Sequence, residues 1–278
     1  MGGVLALGWA CQDLRFKVAT WPPEPGRTPV VGYQEALGGP AAVAAWAVAR
    51  LGGKALLISR RGRDRAGEWL EATLQAAGVV AAFTLGEATG VSAVLVAPDG
   101  ERFIFPYRGR LPEEPEDDLL LWPEWVSVVL ADTRWPGAAE RVFERARDLG
   151  LPRVLDLDSV DEASLRLGRL ASHVVASEGA AVEAGGLDHL QGLFSGAFVA
   201  VTLGEKGVVW PGGRIGALAV TPKDTTGAGD VFHGAFALAL AKGMREEEAL
   251  ALANAVAGVY VAKGEIPDWQ EALKWMQP

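Results

Sequence analysis

In the stretch Asp224-Thr225-Thr226-Gly227-Ala228-Gly229-Asp230, a glycine-rich turn runs into the Ala- and Leu-rich segment 231–242, which has helical character. The first turn of a helix leaves backbone N–H groups unpaired, and the helix dipole places partial positive charge there. Small residues let an anion approach that backbone closely, so Gly227, Ala228 and Gly229 are read as a phosphate-sized anion hole. Asp230 falls in the same first turn. A carboxylate there can take a proton from a hydroxyl while the N–H groups hold charge on a transferring group. The plainer reading of the same residues is a tight turn and a helix cap.

Working outward from that turn, short β-rich runs alternate with longer Ala- and Leu-rich stretches, the pattern of a mainly parallel sheet covered by helices. Strands are expected at 4–8, 54–59, 126–131, 153–158, 173–176 and 197–203, with helices at 41–51, 64–77 and 137–149. Pro40, next to Gly38-Gly39, suits the first turn of the helix it opens. Two regions interrupt the rhythm. Residues 14–37 separate the first strand from the first helix, and 91–105 holds two β-like segments around Pro98-Asp99-Gly100, a hairpin candidate. Paired together they would form a small sheet covering the main one, a lid.

The bulk properties narrow the classes. With 278 residues, half of them apolar, a core of ordinary size fits in one domain spanning 1–278. A net charge of -9 opposes binding to nucleic acid or anionic lipid. The densest basic run, Arg60, Arg61, Arg63 and Arg65, is broken by Asp64 and is read as a solvated loop entering a helix. Cys11 is the single cysteine, which excludes an internal disulfide and suits a reducing, cytoplasmic setting. The N-terminal run reaches Asp13 and Arg15 too soon for a membrane span, so neither a membrane anchor nor a signal peptide is expected. His173, His189 and His233 lack metal-ligand spacing, and His233 is read as a packing or hydrogen-bonding residue. Trp9 and Trp135 are the tryptophans read as within reach of a sugar. There is no GxxxxGK[ST] loop, and residues 9–13 after the first strand are not a pyrophosphate loop, which removes support for a P-loop ATPase or a dinucleotide dehydrogenase.

The run DTTGAGDVFHGAF at 224–236 resembles the signature of the ribokinase (PfkB) family of carbohydrate kinases. The likeness extends through GGPAAVAAWAVARLG at 38–52 and VTLGEKG at 201–207. It implies a ribokinase-like three-layer α/β/α sandwich with a central, mainly parallel sheet and a small β-sheet lid drawn from about 12–37 and 91–109. ATP with Mg²⁺ is the implied donor and a sugar hydroxyl the acceptor. In that resemblance Asp230 is the base and Gly227 to Gly229 the anion hole. Asp13, Gly38 and Gly39 bind the acceptor, and Thr202, Gly204, Gly207 and Asn254 border the nucleotide. Asp224 and Thr226 match positions that in some relatives hold a monovalent cation, K⁺. Where the family usually carries NxxE, this chain reads Ser177-Glu178-Gly179-Ala180, which leaves Glu178 to support Mg²⁺ through water. Relatives often pair through the lid, so a homodimer is a further expectation.

Within the family, VVASEGAA at 174–181, VVLADTRW at 128–135 and RVLDLDS at 153–159 are most similar to the 6-deoxy-6-sulfofructose kinase branch. Its acceptor is a ketose with an anionic end, which a guanidinium suits. Arg134 matches that branch's anion-binding arginine, and Arg27 and Arg108 could add charge. Pro106 replaces a polar residue of that branch. The alternatives are a nucleoside or plain hexose kinase of the same fold, and a sugar- or nucleotide-sensing protein without turnover.

Overall fold

The computed structural model describes residues 2–23, 26–116 and 121–276. Positions 24 and 25 of the expected lid, and residues 1, 117–120, 277 and 278 of the expected domain, lie outside the described residues.

The strands are β1 (Gly3–Leu7), β2 (Cys11–Val18), β3 (Val30–Gly38), β4 (Lys54–Gly62), β5 (Val80–Gly86), β6 (Val91–Val96), β7 (Arg102–Tyr107), β8 (Val126–Ala131), β9 (Arg153–Leu157), β10 (His173–Ser177), β11 (Phe198–Thr202), β12 (Val208–Trp210) and β13 (Gly213–Ile215). The helices are α1 (Pro40–Arg50), α2 (Arg65–Ala76), α3 (Pro136–Asp148), α4 (Glu162–Leu170), α5 (Glu178–Glu183), α6 (Leu187–Leu193), α7 (Ala228–Ala241), α8 (Glu246–Lys263) and α9 (Trp269–Trp275).

A nine-stranded sheet runs β13-β12-β11-β10-β9-β8-β1-β4-β5, and all its pairs are parallel except those made by β12. Parallel strands covered on both faces read as continuous apolar runs. β1, Gly-Val-Leu-Ala-Leu, is buried throughout. Its side chains alternate between two cores. Val4 and Ala6 join α1, α2, α7, α8 and α9 on one face, and Leu5 and Leu7 join α3 to α6 on the other. The result is the expected three-layer sandwich. α7 crosses α1 closely, since a Cβ on Gly234 would stand 2.4 Å from the Ala44 carbonyl oxygen.

The chain leaves this sheet after β1 to build the lid and returns to it at α1. The lid is a four-stranded sheet ordered β3-β2-β6-β7. β6 and β7 are the expected hairpin, closed by Gly100 N–H donating to the Ala97 carbonyl at 2.9 Å. Two expectations change. Arg60 and Arg61 extend β4 rather than lying in a solvated loop, and Arg60 is buried, stacked 4.6 Å over the Trp135 ring and donating to the carbonyls of Pro112 and Arg134. Trp135 is itself in the core, 1% exposed, with its indole N–H on the Glu113 carbonyl, so it is not in reach of a ligand. β5, β12 and β13 and the short helices α4 to α6 were not legible as separate elements.

Asp64 caps α2 by accepting the Gly67 N–H at 2.9 Å and also accepts from the backbone and hydroxyl of Thr89, which precedes the lid strand β6. Asp64→Ala should therefore cost about 1–2 kcal/mol, the upper part of the range for a lost N-cap. Chemical denaturation would show it as a lower midpoint with an unchanged slope; an unchanged midpoint would mean the Thr89 tie is solvent-equivalent.

Candidate functional site

The carboxyl ends of β1, β8, β9, β10 and β11, the start of α7 and the lid base converge, which is where open parallel sheets place ligands. Gly227 takes the left-handed conformation (φ 76°) at the N-cap of α7, and no side chain satisfies the free N–H groups behind it. Asp230 stands in that first turn, its Oδ2 3.8 Å from where a Gly227 Cβ would be. The sequence-predicted anion hole and carboxylate are thus one unit.

Burial, then the nearby carboxylates of Asp156, Asp132, Asp158 and Asp13, raise the Asp230 pKa well above the ordinary carboxylate range. Four acids around a fifth disfavour its ionisation. Burial raises Asp156 as well, opposed first by His233. His233 lies one turn after Asp230, its Nδ1 2.7 Å from the Gly229 carbonyl and its Nε2 3.4 Å from Asp156 Oδ1. As expected it is a hydrogen-bonding residue, and what it holds is the Gly229 backbone in the first turn of α7.

Asp132 organises the opposite wall. Its Oδ2 accepts from Trp9 N–H at 2.7 Å and Ala41 N–H at 3.2 Å, and its Oδ1 from Arg134 N–H at 2.8 Å. Burial pushes its pKa up to about 6 despite those donors. The diglycine has its own steric logic. A Cβ on Gly38 would meet Asp13 Oδ1 at 2.2 Å, and Gly39 (φ 91°) would meet the Trp9 carbonyl oxygen at 2.4 Å. Asp13, on β2, is buried and raised by desolvation, with Arg15 opposing. Trp9 is 6% exposed with the Arg108 guanidinium 5.1 Å above its ring.

Other predicted residues fall into two groups. Thr202 ends β11 with its hydroxyl on the Ala176 carbonyl, and Gly204 (φ 56°) and Gly207 (φ 90°) frame the short 3₁₀ turn that follows. A Cβ on Gly204 would meet nothing within 4 Å, so the space beside it is open. Asn254, on α8, donates to the Gly216 carbonyl at 2.8 Å, joining the helix to the loop after β13. Arg134 is close to the carboxylate cluster, but its guanidinium is clamped on Asp158 and Thr133. Glu178 pairs with Lys206 at 3.2 Å, while Ser177 caps α5. Asp224 Oδ1 accepts from the backbone and hydroxyl of Thr226, and Arg102 and Arg15 of the lid pair with its two oxygens. Arg27 is not brought to the site. It lies exposed in the β2–β3 loop, beyond Val18, about 16 Å along β2 from Asp13 at 3.3 Å per residue.

Sequence reasoning missed Asp132, Asp156, Asp158, Arg15 and Arg102. The first three close or follow the apolar runs of β8 and β9, and acidic residues at the carboxyl ends of consecutive parallel strands were the available signal. Nothing local marks the arginines, which meet Asp224 only across the fold.

Because the folded pKa of Asp230 is raised, its contribution to stability is full below the unfolded value of 3.8 and is lost as pH rises through the shifted value. Asp230→Asn should accordingly raise the Tm at pH 8, at about 2–4 °C per kcal/mol, and leave it almost unchanged at pH 3.5. Equal shifts at both pH values in a thermal melt would contradict the burial of an ionised carboxylate.

The family model for pfkB family carbohydrate kinase matches residues 1–266. A fructokinase of Solanum tuberosum is 31% identical over 235 residues, 73% of this chain and 71% of its own. A ribokinase of Haemophilus influenzae is 28% identical over 275 residues, 88% of this chain and 89% of its own. Among solved structures, a protein of Agrobacterium tumefaciens superposes with a TM-score of 0.90 at 32% identity, over 99% of this chain and 98% of that one. The Arabidopsis thaliana ribokinase complexed with ribose and ATP gives 0.83 at 24% identity over the whole of both chains, a likeness of fold.

Proposed function

This chain belongs to the pfkB family of carbohydrate kinases, a sugar phosphotransferase, and on that premise we propose that it moves the γ-phosphoryl group of ATP to a hydroxyl of a ketose, with Asp230 as general base. The observation that carries this reading is the half-buried Asp230 in the first turn of α7, beside the left-handed Gly227 and near enough to Asp156, Asp132, Asp158 and Asp13 to feel their charge. Asp13, held upright only because Gly38 lacks a side chain, would accept hydrogen bonds from the acceptor hydroxyls. Asp230 would take the proton of the attacking hydroxyl while backbone N–H groups of Gly227 to Gly229, of which Ala228 N–H now rests on the Thr225 carbonyl at 3.3 Å, meet the charge on the transferring group.

The nucleotide would lie along the open space by Gly204, with the backbone of Gly207 packed against the strand beside it, Thr202 at the phosphates and Asn254 toward the base. Bound with it, Mg²⁺ would supply neutralisation of phosphate charge. Glu178 fits a supporting role through water, since its exposed pair with Lys206 holds it by no more than about 1 kcal/mol. A monovalent cation at Asp224 and Thr226 fits poorly. Arg15 and Arg102 already stand at that carboxylate, and turnover should be equal in potassium and tetramethylammonium chloride at matched ionic strength.

For the acceptor, a fructose-class furanose with an anionic end, such as 6-deoxy-6-sulfofructose, is the finer proposal. It requires Arg134 to turn part of its guanidinium from Asp158 to the ligand. A plain ketohexose is the second reading, favoured by that same clamp. A homodimer is proposed through the lid, whose outer face and edges expose Val31, Tyr33, Phe105 and Tyr107. No helix among the described residues is long and apolar enough to cross a membrane.

ADP release from ATP-Mg²⁺ should be measured against 6-deoxy-6-sulfofructose, fructose 6-phosphate, fructose, ribose and adenosine. Asp230→Asn is expected to lower turnover by about 10²–10⁴-fold with nucleotide affinity kept. Turnover unchanged in that variant would remove the base, and silence on every acceptor with ATP still bound would favour a sensor. The kcat/KM of the wild type should rise with pH through a value above the ordinary carboxylate range, because the base must first lose its proton.

A further inference from the structure

Beyond the carboxylate cluster, between the inner face of the lid and the segment leading into the anion hole, lies a cavity of about 360 Å³. Its charged walls are Arg15, Lys17, Arg102, Lys223 and Asp224, four cations around one carboxylate in a chain whose net charge is -9. The lid contribution follows from strand geometry. Asp13, Arg15 and Lys17 alternate along β2 and so share one face, and Arg102 on β7 is carried to the same side through its pairing with Val96 and that of Val96 with Lys17.

The cations are unequally satisfied. Asp224 holds Arg15 at 3.4 Å and Arg102 at 2.9 Å, which fixes both guanidinium groups in the wall. Arg102 also donates to the Thr225 hydroxyl at 3.0 Å. Arg15 reaches Asp13 at 3.6 Å, yet its Nε is buried without a hydrogen-bond partner. Lys17 has no ion-pair partner among the described residues, and Lys223 donates only to the Lys263 carbonyl at 3.3 Å. A concave site with two ammonium groups that lack a carboxylate partner, two guanidinium groups pre-positioned and one donor unpaired is complementary to a compact dianion. Tyr33 and Gln34 add polar side chains to the rim.

We propose that this cavity is a binding site for a phosphate-class anion, separate from the anion hole of Gly227 to Gly229. The anion has two sources of one chemistry. It is either the charged end of an acceptor whose hydroxyl lies by Asp13 and Asp230, held here instead of at Arg134, or a free phosphorylated metabolite acting on turnover. Arg15 and Lys17 lie about 7 and 13 Å along β2 from Asp13 at 3.3 Å per residue, a span that a hexose phosphate covers in its nearer part. Both sources rest on the kinase reading, and the anion site itself does not.

The test titrates inorganic phosphate by calorimetry into the protein saturated with a non-hydrolysable ATP analogue, whose γ-phosphate fills the anion hole. Wild type should show saturable binding, weakened at least about tenfold in Lys17→Ala/Lys223→Ala, with the affinity for the analogue unchanged. Both lysines are on the surface, and their removal leaves the core intact. Absence of saturable binding in wild type, or equal binding in the double variant, overturns the site. Kinetics then distinguish the source. A KM for fructose 6-phosphate that rises about tenfold in the double variant, with kcat and the neutral fructose reaction unmoved, identifies the acceptor's own end. Phosphate-dependent turnover of fructose that is lost in the variant identifies an effector. If no sugar yields ADP but phosphate binds as described, the kinase reading fails and the anion site stands.

Discussion

One buried carboxylate ties the working parts together. Asp132 accepts three backbone N–H groups from three places: Trp9 just past β1, Ala41 in the first turn of α1, and Arg134 before α3. Burying an ion is tolerable only when its lone pairs are met, and here they are met by main chain rather than by a counter-ion. The consequence is positional. The Trp9–Ala10 backbone, the diglycine that crosses it and the start of α1 are all referred to one atom group at the end of β8. Gly8 completes the arrangement, since a Cβ there would fall 2.3 Å from the same carboxylate.

Around that anchor the charges are sorted by side. Asp132, Asp156, Asp158 and Asp230 crowd the sheet ends, and burial first, then neighbouring carboxylates, raise the pKa values of Asp132, Asp156 and Asp230. The lid supplies the opposite sign through Arg15, Arg102 and Lys17. Asp224 is where the two meet, an acid on the anion-hole loop held by bases on the lid. Such a contact costs little to make or break in water, so it registers the lid rather than locking it.

Much of this was legible beforehand because the signals were local. The glycine-rich turn into α7 announces itself by small residues at consecutive positions, and the hairpin of β6 and β7 by Pro98-Asp99-Gly100. Helix boundaries around α1 to α3 came within a residue or two, since Pro40, Asp64 and Pro136 mark starts that depend only on backbone chemistry. The failures share a cause. Arg60 looked solvated because a basic run usually is, but its two carbonyl partners come from 52 and 74 residues away, and the Trp135 ring it stacks on is equally distant in sequence. Arg27 looked close because it lies in the lid, but strand length put it at the tip. Neither error could be repaired without knowing which strands are neighbours.

Half of the lid, β2 and β3, is inserted between β1 and α1, so the two ends of that half are fixed at one place, where Cys11 pairs with Gly38. The residues that would touch an acceptor, Asp13, Gly38 and Gly39, all sit at that root, and the loop from β2 to β3 hangs at the far end. A change in the β2–β3 loop therefore stands away from Asp13, whereas a side chain at position 38 would collide with it. A lineage built on this plan can lengthen, recharge or re-pair its lid tip while keeping the same chemistry beneath, and new partners or new acceptors would enter its history from that end first.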